Sequence, residues 1–405
     1  MSNNNKVHID VAGITDVGIL RKNNEDSFLM ADFRNGKTFP SNTEEVYNAN
    51  ENSFLMIVSD GVGGANAGEV ASQLTVHSIN ESLGRLSWSI PAHDRLIASV
   101  EQANYVVWNY GKESPAYRGM SATVTAILIE EDAAYIAQVG DSRAYLIRQN
   151  RVTQITTDQS LVELMISKGL LTPEQATEHP RKNIILQAVG LEELIQVDVR
   201  KLCLQQKDYL VVCSDGLSNN VLEQEILQII KSTSSLSEAC QLLVTLANDR
   251  GGKDNITVVI AHLTGEGLPE TSSRELTRPP SVTPLFIFDP DRDPEKSHKR
   301  TRLLSDPSVC VLEETDTILE NLSSYPNNQA IQEQYQKLSL LLNNSLEVLG
   351  LQQEEIIKVN DWLKSQGLTY VRLPDLEAKV ISARERIEQA WRTLEEVIAE
   401  FHEKK

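Results

Sequence analysis

Across the first 265 residues the spacing of apolar positions switches repeatedly between a strand-like and a helix-like period. Phe54–Val58, Val124–Ile129, Ala133–Val139, Arg143–Ile147, Tyr209–Cys213 and Ile256–Ala261 are short runs rich in β-branched or apolar residues, the pattern of buried strands. Ala67–Leu83, Ala92–Gly111, Leu161–Lys168, Glu223–Ser232 and Leu236–Arg250 read as helices. The polar stretch 34–52, with Pro40, reads as a loop or hairpin insertion. This interleaving predicts one compact unit over residues 6–265.

The pattern breaks after 265. Seven of the 14 prolines fall between Pro269 and Pro307, among Ser, Thr, Arg and Asp, so 266–310 reads as a proline-rich linker that can bury little apolar surface. Its apolar island, PLFIFDP at 284–290, reads as a docking patch or a stray strand. From 311 to 405 two apolar stripes follow at helical spacing. One runs through Leu338, Leu342, Leu346, Leu349, Ile356, Val359 and Leu363, the other through Leu376, Val380, Ile387, Trp391, Leu394, Ile398 and Phe401. They predict a helical hairpin whose exposed stripes suit a homo-oligomer or a partner protein.

Charge and composition narrow the class. A net charge of -19 argues against a nucleic-acid binder, which needs clustered Lys and Arg. The four cysteines show no paired spacing and read as reduced thiols. The start, MSNNNKVHID, has no signal-peptide pattern, and no run reaches the ~18 apolar residues of a membrane span. The expectation is a cytoplasmic protein.

The candidate chemistry lies in aspartates beside glycines. SDG occurs at 59–61 and again at 214–216, each time after an apolar run, with GDSR at 140–143 and GGKDN at 251–255. A strand, glycine loop and helix around 54–83 also suggest a dinucleotide cradle, but Asn66 replaces its third glycine, no Walker lysine is present, and Asp60 would repel a pyrophosphate. If Asp60, Asp215 and Asp254 converge, each pair at ~4 Å repels by roughly 4 kcal/mol at an effective dielectric near 20. Such a site must take up protons or cations, and oxygen-only ligation suits Mg²⁺ or Mn²⁺. The seven histidines show no zinc-type spacing.

With TDVGILRKNNEDSF (15–28), SDGVGGANAGEVAS (59–72), GMSATVTAILI (119–129), QVGDSRAYLIR (138–148), DYLVVCSDGLSNNV (208–221) and GGKDNITVVI (251–260), the chain resembles the metal-dependent Ser/Thr protein phosphatases, the PPM or type 2C family, in its bacterial branch. The motifs stand in the family's order over some 250 residues. The resemblance implies an α+β fold: two antiparallel sheets between helices, a four-layer α-β-β-α sandwich, here followed by the helical hairpin. It implies two Mn²⁺ or Mg²⁺ ions and a looser third. Asp60 would bridge the two metals, the Gly61 carbonyl would bind one, and Asp215 and Asp254 the other. Asp141 would serve the third, with Asp215. Glu25 and Asp26 would hold metal-bound water, and Arg21 would bind the substrate phosphate, a task suited to a guanidinium. Asn255 would shape the turn that aims Asp254, Ser142 and Arg143 would fix the Asp141 turn, and 156–190 would form the flap beside the active site. The substrates implied are phosphoproteins.

Three positions depart from the family pattern. Val62 stands where animal members have a histidine, Ser121-Ala122-Thr123 replaces Gly-Thr-Thr, and Asp158-Gln159-Ser160 replaces Asp-His-Ser. An inactive binding or sensor module of the same fold is the competing reading. Intact Arg21, Asp60, Asp215 and Asp254 argue against it.

Overall fold

A computed structural model describes residues 7–33, 37–39, 45–48, 53–62, 67–88, 90–270 and 282–290. The helical hairpin expected over 311–405 lies outside the described residues. No described helix is long and apolar enough to cross a membrane.

Fourteen strands are described: β1 (His8–Asp16), β2 (Asp26–Asp32), β3 (Lys37–Phe39), β4 (Glu45–Asn48), β5 (Phe54–Val62), β6 (Ser121–Ala122), β7 (Val124–Glu130), β8 (Ala133–Val139), β9 (Arg143–Arg148), β10 (Arg151–Gln154), β11 (Asp198–Cys203), β12 (Tyr209–Cys213), β13 (Ile256–Thr264) and β14 (Val282–Phe286). The helices are α1 (Ala67–Arg85), α2 (Ala92–Glu113), α3 (Leu161–Ser167), α4 (Pro173–Thr177), α5 (Asp215–Ser218), α6 (Glu223–Ser232) and α7 (Leu236–Asp249).

The strands form a six-stranded sheet, β10-β9-β12-β13-β1-β4, and an eight-stranded sheet, β14-β11-β8-β7-β5-β2-β3, in which β6 adds to β5. The pairings between β1 and β13 and between β5 and β7 are both antiparallel. Alternation along β5 explains the layering. Phe54, Met56 and Val58 join the core between the sheets, whereas Leu55 and Ile57 face outward to a second core with Ile79 and Leu83 of α1 and Leu96 and Val100 of α2. A third core packs Ile226 and Ile230 of α6 and Leu243 of α7 on Val211 and Ile260 of the six-stranded sheet. With both faces of each sheet covered, the strands read as unbroken apolar runs. The expected four layers, helices–sheet–sheet–helices, are present.

Two stretches that the sequence leaves open are placed. In 34–52, β3 folds back on β2 as the second arm of a hairpin in one sheet, whereas β4 pairs with β1 in the other. Of the two readings of the apolar island within the linker, docking patch or stray strand, the strand is the one present. Val282–Phe286 pairs with β11 as the last strand of the eight-stranded sheet, and Leu285 and Phe286 pack against the outer core. Clustered prolines around it leave its place in the sheet unreadable from the sequence. Pro284 is tolerated because β14 is an edge strand with no further ladder to feed.

Candidate active site

Asp60 lies within β5, which runs on through Asp60 and Gly61 to Val62. The Asp60 N–H donates to Thr123 Oγ1 at 3.0 Å, and the Asp60 carbonyl accepts from Thr123 N at 2.8 Å. Gly61 occupies the tightest point of the site. A Cβ added there would lie 2.1 Å from the Gly68 carbonyl oxygen and 2.6 Å from that of Glu25, so only glycine lets β5, α1 and the start of β2 meet.

Asp26 pairs in register with Asp60 across β2 and β5. It is buried, and its Oδ2 accepts from Ser214 Oγ at 2.7 Å and Thr257 Oγ1 at 2.6 Å. Asp26 therefore ties the eight-stranded sheet to the ends of β12 and β13 in the other sheet. Asp215 follows Ser214 directly and opens α5. Asp254 precedes β13, and a Cβ on Gly216 would stand only 3.5 Å from the Asp254 Cβ.

The Arg21 loop is laced onto this pair. Asn255 Oδ1 accepts from Glu25 N at 2.8 Å, while its Nδ2 donates to the carbonyls of Val17 at 2.9 Å and Asn23 at 3.0 Å. Asn255 thus positions the loop bearing Arg21 and Glu25 as well as the Asp254 turn. Arg21 Nη2 donates to Asp254 Oδ2 at 2.8 Å. Asp141 enters from the β8–β9 turn. Its neighbour Ser142 shares a 2.7 Å hydrogen bond with Thr123 Oγ1, linking the Asp141 turn to the residue that holds Asp60. Arg143 grips Asp158 through Nε and Nη2 at 2.6–3.0 Å.

The electrostatics are those of a site short of positive charge. Burial, and then the carboxylates of Asp26, Asp215, Asp141 and Asp254, hold the Asp60 carboxyl well above the usual range. Burial and the charge of Asp215 push Asp141 up to about 7. Asp26 is pushed up to about 7 by burial, against the hydrogen bonds from Thr257 and Ser214, with Asp215 and Asp254 adding to the rise. Asp215 is raised by burial and by Asp254. Glu25 is raised chiefly by its partial burial, an effect the Arg21 charge opposes. The structure thus separates two residues that the resemblance placed in one role: Asp26 is a buried tie between sheets, whereas Glu25 lies part-exposed beside Arg21.

A divalent cation fits this set. Every clustered donor is oxygen, and the buried Oδ1 atoms of Asp26 and Asp215 lack a hydrogen-bond partner. Among the described residues no three His, Cys, Asp or Glu side chains are grouped closely enough to hold a metal ion as they stand. A hard cation that keeps much of its water needs only one or two carboxylates. The Asp-Gly motifs brought Asp60, Asp215, Asp254 and Asp141 to notice. Thr123, Ser214 and Thr257, which hold them, lie inside quoted motifs, but their holding role is not legible there, because a hydroxyl side chain does not reveal which partner it meets across the fold.

Comparison with known proteins identifies the family. The family profile described as Protein phosphatase 2C matches residues 45–249. The serine/threonine phosphatase stp of Listeria welshimeri is 36% identical over 249 residues, 61% of this chain and 92% of that protein. The crystal structure of the Mycobacterium tuberculosis serine/threonine phosphatase PstP/Ppp superposes with a TM-score of 0.55 at 32% identity, over 64% of this chain and 99% of that one. A structure of the PstP catalytic domain in complex with two manganese ions gives 0.52 at 31% identity, over 64% and 99% of the two chains. The chain belongs to the protein phosphatase 2C family.

Proposed function

We propose that this protein phosphatase hydrolyses phosphoserine and phosphothreonine in proteins with Mn²⁺ or Mg²⁺, opposing Ser/Thr kinases in cytoplasmic signalling. The observation that carries the reading is the meeting of Asp60, Asp215, Asp254 and Asp141, where burial first and then mutual repulsion raise the proton affinity of Asp60, Asp141 and Asp215. The relative whose structure contains two manganese ions supports the metal assignment.

Asp60, the Gly61 carbonyl, Asp215 and Asp254 would hold two ions, with Asp141 and Asp215 serving a third. Such ions supply a water nucleophile of lowered pKa and neutralise charge on the phosphoryl oxygens. The chain's own residues do the remainder. Arg21, half-exposed and reaching Asp254 from the rim, is placed to bind phosphoryl oxygens bidentately and orient phosphorus for in-line attack. Asp26 keeps the ends of β2, β12 and β13 together, so the carboxylates stay aimed without substrate. Val62 is 42% exposed and carries no titratable group, so it can neither give nor take a proton. The test is phosphate release from a phosphothreonine peptide with and without Mn²⁺, beside a phosphotyrosine peptide. Release from phosphothreonine only with metal is expected, and equal release from both peptides refutes the Ser/Thr assignment.

A further inference from the structure

Gln159, one of the departures from the family pattern, stands at the inner end of a ladder built on glutamine side chains. Its Oε1 accepts from Gly140 N at 2.8 Å and from Gln187 Nε2 at 2.9 Å. Its backbone N–H donates to the Gly140 carbonyl at 2.9 Å. Gln187 in turn pairs reciprocally with Gln196: Nε2 donates to the Gln196 carbonyl at 2.6 Å, and Oε1 accepts from Gln196 N at 2.8 Å. Gln196 repeats the arrangement on the chain that follows β14, where Nε2 donates to the Asp289 carbonyl at 3.1 Å and Oε1 accepts from Asp289 N at 3.2 Å.

The ladder therefore links Asp289 to Gly140, the residue before Asp141, with one covalent step, since Gln187 bonds the Gln196 backbone and Asp289 bonds the Gln196 side chain. Only a side chain carrying both a donor and an acceptor can pass a hydrogen-bond pattern along in this way. A neutral histidine at 159 offers one ring acceptor and could not serve Gly140 N and Gln187 as Gln159 does. Gln159 and Gln196 are 3% and 8% exposed and Gln187 between them is half-buried, so at the two ends water does not readily replace a lost partner. The far end of the ladder lies beyond residue 249, where the family match stops.

We propose that Gln159, Gln187 and Gln196 form a positioning relay through which segment 282–290 sets the geometry of the Asp141 turn. The segment outside the family match thereby adjusts the site where the most loosely held metal would sit. The inference rests on the phosphatase reading for the role of Asp141, and on hydrogen bonding alone for the coupling.

The test uses the full-length chain with Gln196→Ala and, separately, Asp289→Pro, which deletes one N–H at the far end and leaves every glutamine in place. Hydrogen exchange is followed in peptides covering 138–145 and, as a control in the opposite layer, α6. Both variants are expected to speed exchange at 138–145 by about two- to tenfold, the worth of one internal hydrogen bond, with α6 unchanged. Both are also expected to raise the Mn²⁺ concentration for half-maximal activity by a similar factor at nearly constant kcat. Unchanged exchange at 138–145, an equal rise in α6, or an unmoved Mn²⁺ requirement overturns the relay. The exchange measurement needs no turnover, so an inactive protein with normal coupling refutes the phosphatase reading and leaves the relay standing.

Discussion

Arg21 and Asp254, 233 positions apart, are joined by a 2.8 Å ion pair at the rim of the carboxylate cluster. Half of the Arg21 side chain and a third of that of Asp254 remain exposed, so the pair is worth at most about 1 kcal/mol. A guanidinium held this weakly can be given up to a metal on Asp254 and left free for phosphate. Arg21→Ala should therefore lower kcat/KM for a phosphopeptide by about ten- to a hundredfold. Mn²⁺ affinity, measured by calorimetry, should stay the same or rise up to about fivefold as a competing cation is lost. An unchanged kcat/KM would show that the arginine is only structural.

Asp215→Asn should remove turnover by more than about a hundredfold while the protein stays folded. The carboxylate is a net liability in the absence of metal, because burial and Asp254 raise its proton affinity. An amide retains an acceptor for Asn219 Nδ2, which donates to Asp215 Oδ2 at 3.1 Å. Thermal unfolding in chelator should show a Tm equal to or above that of the parent. Full activity of the purified variant at saturating Mn²⁺ would refute the metal assignment.

In chelator, stability should fall as pH rises from 6 to 8. Asp26 and Asp141 are pushed up to about 7 in the folded protein, against an ordinary carboxyl value near 4 in the unfolded chain. The folded state binds more protons across that interval, so this contribution is full below the unfolded value and lost as pH passes through 7. Each group accounts for on the order of 1 kcal/mol between pH 6 and 8, a few degrees in Tm. Saturating Mn²⁺ should flatten or reverse the trend, since the ion takes the deprotonated form. A Tm in chelator that rises from pH 6 to 8 would contradict the strained cluster.

Gly61→Ala should be costlier to the fold than any of the carboxylate changes. The new methyl group meets two backbone carbonyls that cannot rotate away, at 2.1 and 2.6 Å. Overpacking of this kind costs roughly 3 kcal/mol, or about 6–12 °C in Tm. A variant that melts within a degree of the parent would mean that β5 and α1 can part freely.

Truncation after residue 265 should weaken the fold more than truncation after residue 290. The shorter chain loses β14, leaving the ladder edge of β11 unpaired and removing Leu285 and Phe286 from the outer core. Thermal unfolding and light scattering of the two truncations give the comparison. Equal stability and equal solubility would restore 282–290 to the linker.

Much of the site was legible because its chemistry comes in local units. Asp60-Gly61 and Asp215-Gly216 each follow an apolar run, and such pairs are visible without knowing what they face. The partners that hold the carboxylates are not local: Thr257 and Ser214 reach Asp26 from the other sheet, and although both stand inside motifs, nothing there names Asp26 as their target. β1 escaped notice because its burial does not alternate cleanly, three consecutive buried residues being flanked by half-buried ones. Gln159 was visible as a departure from the family pattern, yet its purpose depends on Gln187, Gln196 and Asp289, none of which stands out by type or spacing.

The ladder between β1 and β13 has a consequence for how the protein is made. His8 lies opposite Thr264 and Asp16 opposite Ile256, so the first strand of the six-stranded sheet waits for the last strand of that sheet. A nascent chain carries Asp60 long before it carries Asp254, and until β13 arrives both β1 and β12 lack the neighbour between them. Contacts of such sequence separation make folding slow and leave open edges exposed to other chains meanwhile. A premature stop anywhere before residue 264 should therefore yield an aggregating fragment, with no partly active enzyme among the products.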